Sequence, residues 1–161
     1  MILVGELRDA ETVRMALRAA DTGHQVLSTV HSSNAAQTVE RLLAMVPPEE
    51  MSIARQQLAA SLVGVVSQRL AMSKQGALWP VVEILRGDAV TAKYILDGEL
   101  GKIADYIATG ERGMQTFDKH AIELYEHGVL GGDEALRVAT NPDAVAFGIR
   151  VTGAHNPAKA G

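Results

Sequence analysis

The sequence predicts an α/β protein with a parallel sheet in its first half and a helical subdomain after it. Three observations carry this expectation. Two short apolar runs near the start are each followed at once by a helical pattern. Hydrophobic residues make up 47% of the 161 residues and aromatic ones only 4%. The core must therefore be built from Ala, Leu, Val, Ile and Met, as in helices packed on a sheet. From Asp88 onward the pattern is helical, punctuated by Gly98, Gly110, Gly113 and Gly128.

Met1 to Gly5 is an uninterrupted apolar run, the pattern of a strand buried on both faces of a parallel sheet. Asp9 can cap the helix that follows, with Glu11 in its electropositive first turn. Val13, Ala16, Leu17 and Ala20 share one helix face, and Gly23 supplies the stop. Val26 to Val30 reads as a second buried strand, and a helix from Ala35 to about Met45 follows it. Strand, helix, strand and helix joined by short connections give parallel pairing. Pro48 suits the first turn of a further helix running towards Leu62, with Glu49 and Glu50 against its dipole.

Val65–Met72 and Pro80–Leu85 read as strands around a turn at Ser73–Gly76, with Pro80 at a strand start or edge. Met72 and Trp79 are read as packing residues at that sheet edge. Helices are expected at about Asp88–Leu96, Glu99–Thr109, Thr116–His127 and Asp133–Thr140. Residues 146–161, rich in Gly, Ala and Pro towards the end, are expected to form a flexible tail. The organisation expected is thus 1–86, 87–145 and 146–161.

The formal net charge of −4 argues against a dominant nucleic-acid surface. No apolar run reaches the roughly 18 residues of a membrane span. Met1 to Val4 is followed directly by Gly5, Glu6, Arg8 and Asp9, which is no signal-peptide core. With no cysteine there is no disulfide or thiolate site, and a cytoplasmic protein is expected. The five histidines show no paired ligand spacing, so no metal site beyond a nucleotide's Mg²⁺ is expected.

Two strand ends carry the candidate chemistry. Glu6 follows the first apolar run, at the carboxyl edge where α/β sheets bind ligands. A carboxylate there can hold Mg²⁺ through water beside nucleotide phosphates. Two roles are open to Glu6 and Asp9: that one, or a plain strand-end acid and a helix cap. His31 lies beyond Thr29 at the end of the second run. It is either a phosphate-sensing hydrogen-bond donor or a satisfied buried histidine. Ser32, Ser33 and Asn34 are candidates for capping the next helix.

The stretch from Ile2 to Leu43, with Gly5-Glu6, Arg8-Asp9, Glu11-Thr12, Thr22-Gly23-His24, Thr29, His31 and Arg41-Leu42, resembles the Walker B and His-box region of the secretion ATPase family. That family comprises the twitching-motility retraction ATPases, the pilus-extension motors and the type II secretion motors. Ser67-Gln68-Arg69-Leu70, Val82-Glu83-Ile84-Leu85 and Gly113-Met114-Gln115-Thr116-Phe117-Asp118 extend the resemblance, which covers about residues 1–145. It implies the C-terminal portion of a RecA-like parallel sheet core followed by a helical subdomain. It also implies a hexameric ring using ATP and Mg²⁺, cytoplasmic and peripheral at the inner membrane beside a platform protein, with no nucleic-acid partner. By position, Glu6 is the Walker B acid, which meets Mg²⁺ through water. His31 is the His-box residue, and with Glu6 it is expected to be catalytic. Arg8 and Asp9 complete the first motif, for local structure more than for chemistry. With Glu6, Thr29 and His31 they make the expected nucleotide-binding set.

Two differences from the family pattern stand out. No G-x-x-x-x-G-K-[ST] phosphate loop occurs among the 161 residues, nor the family's catalytic glutamate that precedes Walker B. Where retraction-type members carry a stretch like A-I-R-N-L-I-R-E, this chain has Ala92 to Glu99 without that arginine and asparagine. The expected function is the C-terminal part of a motor ATPase for pilus extension, retraction or secretion, inactive alone. The competing expectation is a non-catalytic module docking into a motor ring or onto a platform protein.

Overall fold

The computed structural model describes residues 1–155. Strands β1 (Ile2–Val4) and β2 (Val26–Ser28) pair in parallel, with Ile2 opposite Val26 and Val4 opposite Ser28. The crossover is helix α1 (Ala10–Asp21), and α2 (Ala35–Ala44) follows β2. Both helices start on an extended residue whose side chain accepts a backbone N–H three residues on. Asp9 accepts from Thr12 and Asn34 from Gln37, each at 2.8 Å. Val13, Ala16 and Leu17 then fall on the buried face, as their spacing predicts.

The two strands are shorter than the apolar runs, and they are not buried on both faces. Leu3 is 77% exposed, while Val4, Val26 and Val30 pack against the core. Among the described residues these two strands make a two-stranded sheet, so alternate side chains on one face meet solvent.

A 3₁₀ turn (Pro48–Glu50) leads into α3 (Met51–Ser61). A hairpin of β3 (Gly64–Met72) and β4 (Leu78–Arg86) follows, closed by Ser73 N–H donating to Ala77 O at 2.8 Å. This pair forms its own two-stranded sheet. Trp79 on β4 is 43% exposed. The chain leaves β4 through Gly87, pressed so closely on Leu62 that a Cβ would lie 1.7 Å from its carbonyl oxygen. Then come α4 (Ala89–Asp97), α5 (Lys102–Ala108), α6 (Phe117–Glu126) and α7 (Gly132–Arg137). Asp88 caps α4 through Val90 N–H and Thr91 N–H, and Gly98 ends it in the left-handed conformation.

Helix α8 (Pro142–His155) occupies residues in which the sequence predicts a tail from 146. Asn141 caps it by accepting from Ala144 N–H at 3.1 Å, and Val145 is fully buried beneath it. Glycine costs a helix up to about 1 kcal/mol, which packing such as that of Val145 offsets. The rest of the expected tail, 156–161, lies outside the described residues.

The chain divides into two compact units, Met1–Ser67 with Ile84–Met114, and Gln68–Glu83 with Gln115–Gly161. The first has a core of Leu17, Val39, Leu58, Leu85, Ile95 and Ile103 among others, so its helices enclose aliphatic side chains. The second is centred on Phe117, with Ala71, Val81, Leu124, Leu130 and Val145 around it. The Arg69 guanidinium stacks 3.9 Å over the Phe117 ring and donates to Val138 O at 2.7 Å. The fold is therefore α/β, with a parallel strand pair followed by a helical part.

Candidate functional site

The parallel register carries the chain beyond β1 and beyond β2 to the same sheet edge. There Leu7 N–H donates to Thr29 O at 3.0 Å, and the Thr29 hydroxyl donates to Gly5 O at 2.6 Å. These bonds hold the two loops side by side. Glu6 and His31, which the sequence sets about 25 residues apart, meet across them, His31 Nε2 lying 3.2 Å from Glu6 Oε1.

His31 is not the buried histidine that the sequence left open, because its side chain is 82% exposed. Glu6 is the more enclosed partner, at 19%. Its other oxygen, Oε2, accepts from Arg8 Nε at 2.5 Å, and the Arg8 guanidinium forms an ion pair with it. That hydrogen bond is the main reason the Glu6 carboxyl lies below the ordinary carboxylate range. Desolvation opposes it, and the charges of Arg8, His31 and Arg41 assist. Arg8 is correspondingly raised by its bond to Glu6. Glu6 is thus one carboxylate set among Arg8, His31 and Arg41.

Asp9 is engaged elsewhere. It accepts from Thr12 N–H and from the Thr12 hydroxyl, and these bonds depress its carboxyl. The structure brings Glu6, Arg8, Thr29 and His31 together and makes Asp9 the cap of α1. Beyond β2, Asn34 caps α2 and the Ser32 hydroxyl lies 2.6 Å from that of Thr38. An open depression of about 380 Å³ beside them is lined by His31, Ser32, Ser33, Gln37, Glu40, Arg41 and Ala44.

Arg41 is the residue that sequence reasoning did not single out for the site. The signal was helical spacing, since Gln37, Arg41 and Ala44 stand at i, i+4 and i+7 on the face of α2 that starts beside His31.

The donor set fits a nucleotide's phosphates with a divalent cation. Mg²⁺ carried on phosphates needs only one or two protein carboxylates, and Glu6 is a carboxylate that could serve as one. Arg8, Arg41 and His31 are cationic or donor groups suited to phosphate oxygens. Among the described residues no cluster of three or more acidic or His side chains could hold a metal by itself.

A family model described as Type II/IV secretion system protein matches residues 1–101. Among curated relatives, the uncharacterized protein YggR of Escherichia coli is 43% identical over 133 residues, covering 82% of this chain and 40% of that protein. The type IV pilus retractation ATPase PilT of Pseudomonas aeruginosa is 37% identical over 144 residues, covering 89% of this chain and 42% of that one. The crystal structure of the pilus retraction motor PilT with bound ADP superposes with a TM-score of 0.80 at 30% identity, over 91% of this chain and 41% of that one. The chain spans about 40% of the length of the first curated relatives it matches.

Proposed function

The chain belongs to the type II/IV secretion system protein family, and from that premise we propose that it is the C-terminal part of a motor ATPase driving a pilus or secretion machine. The observation that carries this reading is the meeting of Glu6 and His31 across two parallel strand ends. In a complete motor the nucleotide supplies the phosphoryl bond whose hydrolysis drives the machine, together with its Mg²⁺.

What this chain contributes is positioning and sensing. Glu6, held ionised by Arg8, presents a fixed carboxylate to a cation's water shell. His31 pairs with that carboxylate through Nε2 and also lines the open depression, so it can exchange Glu6 for a phosphate oxygen. Such an exchange would couple nucleotide state to the position of α2, which begins three residues after His31 at the Asn34 cap. Thr29 and Asp9 serve the same edge indirectly, Thr29 by tying the two loops together and Asp9 by fixing the start of α1. The phosphate-binding loop and the catalytic glutamate would come from outside these 161 residues. Assembly as a hexameric ring at the inner membrane, with a platform protein as neighbour, belongs to the same proposal. Among the described residues no helix is long and apolar enough to cross a membrane.

The test is Mg²⁺-dependent ATP turnover. Residues 1–161 alone are expected to show none, and a version extended upstream to include a phosphate loop is expected to turn over. In the extended protein, Glu6→Gln or His31→Ala should each lower kcat by at least about 100-fold. Turnover by the 161-residue chain alone, or full activity in both variants, would remove the assignment.

A further inference from the structure

Arg55, on the second turn of α3, lines a depression of about 370 Å³ together with Pro48, Met51, Ser52, Gln56 and Leu96. Its Nε is buried and has no hydrogen-bond partner among the described residues. Arginine stays charged wherever proteins fold, so a half-buried guanidinium is ordinarily matched by a carboxylate. Among the described residues no carboxylate lines the depression, and three acids of the segments that border it are already engaged. Glu50 accepts from Arg14 at 2.8 Å, Asp97 pairs with Lys93, and Glu99 accepts from Lys102 at 2.7 Å.

The wall behind the guanidinium is shaped to admit it. Gly98 stands against it in a left-handed conformation, and a Cβ there would lie 2.8 Å from Nη1. All of these residues belong to the first unit.

We propose that this depression is a binding site for a carboxylate carried on a short apolar stem, as in a glutamate side chain, gripped by Arg55. A planar carboxylate takes two parallel donors of the guanidinium fork. Nε is buried, so the Nη groups are the donors the carboxylate would take. Pro48, Met51 and Leu96 provide an apolar wall for the stem, and the Ser52 hydroxyl offers a further donor. Arg55 is the one charged group among the residues that line the depression, which suits a single negative charge and disfavours a phosphate's second one. A side chain of another polypeptide and a free small acid share this chemistry.

The experiment follows the Arg55 side-chain N–H and the Gly98 amide by ¹H–¹⁵N NMR in the 161-residue chain at fixed ionic strength. The probes are acetate, N-acetyl-glutamate N-methylamide, its glutamine counterpart and inorganic phosphate. Saturable shifts in the millimolar range are expected with the glutamate compound, with binding at least about fivefold weaker for the glutamine compound and for phosphate. Acetate binding as well as the glutamate compound would identify a free acid as the ligand, and weaker acetate binding would identify a protein side chain. Arg55→Gln is expected to abolish the shifts, and if that variant does not fold, the probe comparison on the native chain decides alone. Absence of saturation overturns the proposal, as do equal responses to the glutamine compound or phosphate, or shifts that persist in a folded Arg55→Gln chain.

Discussion

Two acids three positions apart divide the work at the start of the chain. Asp9 spends both its hydrogen bonds on Thr12 and so organises α1. Asp9→Ala is expected to cost about 1 kcal/mol in urea unfolding, and Asp9→Asn, which keeps an acceptor, to recover most of it. Glu6 is held ionised chiefly by the hydrogen bond from Arg8. Its carboxyl should titrate below 4.5 by ¹³C NMR, and Arg8→Ala should move it upward. Because the folded value is depressed, Glu6 contributes stability above the unfolded value, and that contribution is lost as pH falls through the folded one. The pairing of Glu6 with His31 was legible in the sequence, because two parallel strand ends must share an edge. The exposure of His31 was not, since it depends on what covers that edge rather than on its neighbours in the chain.

At the scale of elements, the start of α6 grips one residue of β4 from both sides. Val82 N–H donates to His120 Nδ1 at 2.9 Å, and Val82 O accepts from Gln115 Nε2 at 3.1 Å. Accepting at Nδ1 requires the imidazole to be neutral with its proton on Nε2. Burial lowers His120 from its ordinary 6.5, against the opposing pull of Glu123. The sign follows: the neutral clamp stabilises fully above about 6.5, and its contribution is lost as pH falls through the lower folded value. Imidazole ¹⁵N shifts should show the Nε2–H tautomer at neutral pH, and His120→Gln should flatten the pH dependence of stability in that window. Beside this clamp, Phe117→Ala should cost about 3–5 kcal/mol in chemical unfolding, because the ring is fully buried at the centre of its unit. Helices with a polar cap and an apolar stripe, such as α1, α2, α4 and α6, could be read from the sequence. Helix α8 could not, because its glycines mimic a frayed end and its anchor, Val145, acquires meaning only against Phe117's cluster.

For the whole molecule, acid is the expected point of weakness. Glu134 is depressed to about 2, first by the hydrogen bonds from Arg137 and then by Met72 N–H. Burial alone would raise Asp88, but bonds from Thr91, Tyr106 and Val90 outweigh it and hold it low. Together with Glu6 and Asp9 these groups bind fewer protons folded than unfolded, so urea midpoints should decline as pH falls from about 4.5 towards 2. Glu134→Gln should make that decline shallower. The α/β organisation was legible at this scale from apolar runs and glycine punctuation. The division into two units was not, because β3 and β4 read as ordinary sheet strands and nothing in their alternation says that Ser67 and Gln68 fall in different units.

Trp79 is the chain's one tryptophan, and the chain has no cysteine. The molecule therefore carries its own reporter. Tryptophan emission comes from a single half-exposed indole in the second unit, so a fluorescence melt reads that unit's fate. A cysteine introduced at an exposed position of α1 would be the sole thiol, and a dye attached there would read the first unit. One protein prepared twice would then show whether the two units lose their structure in one step or in two.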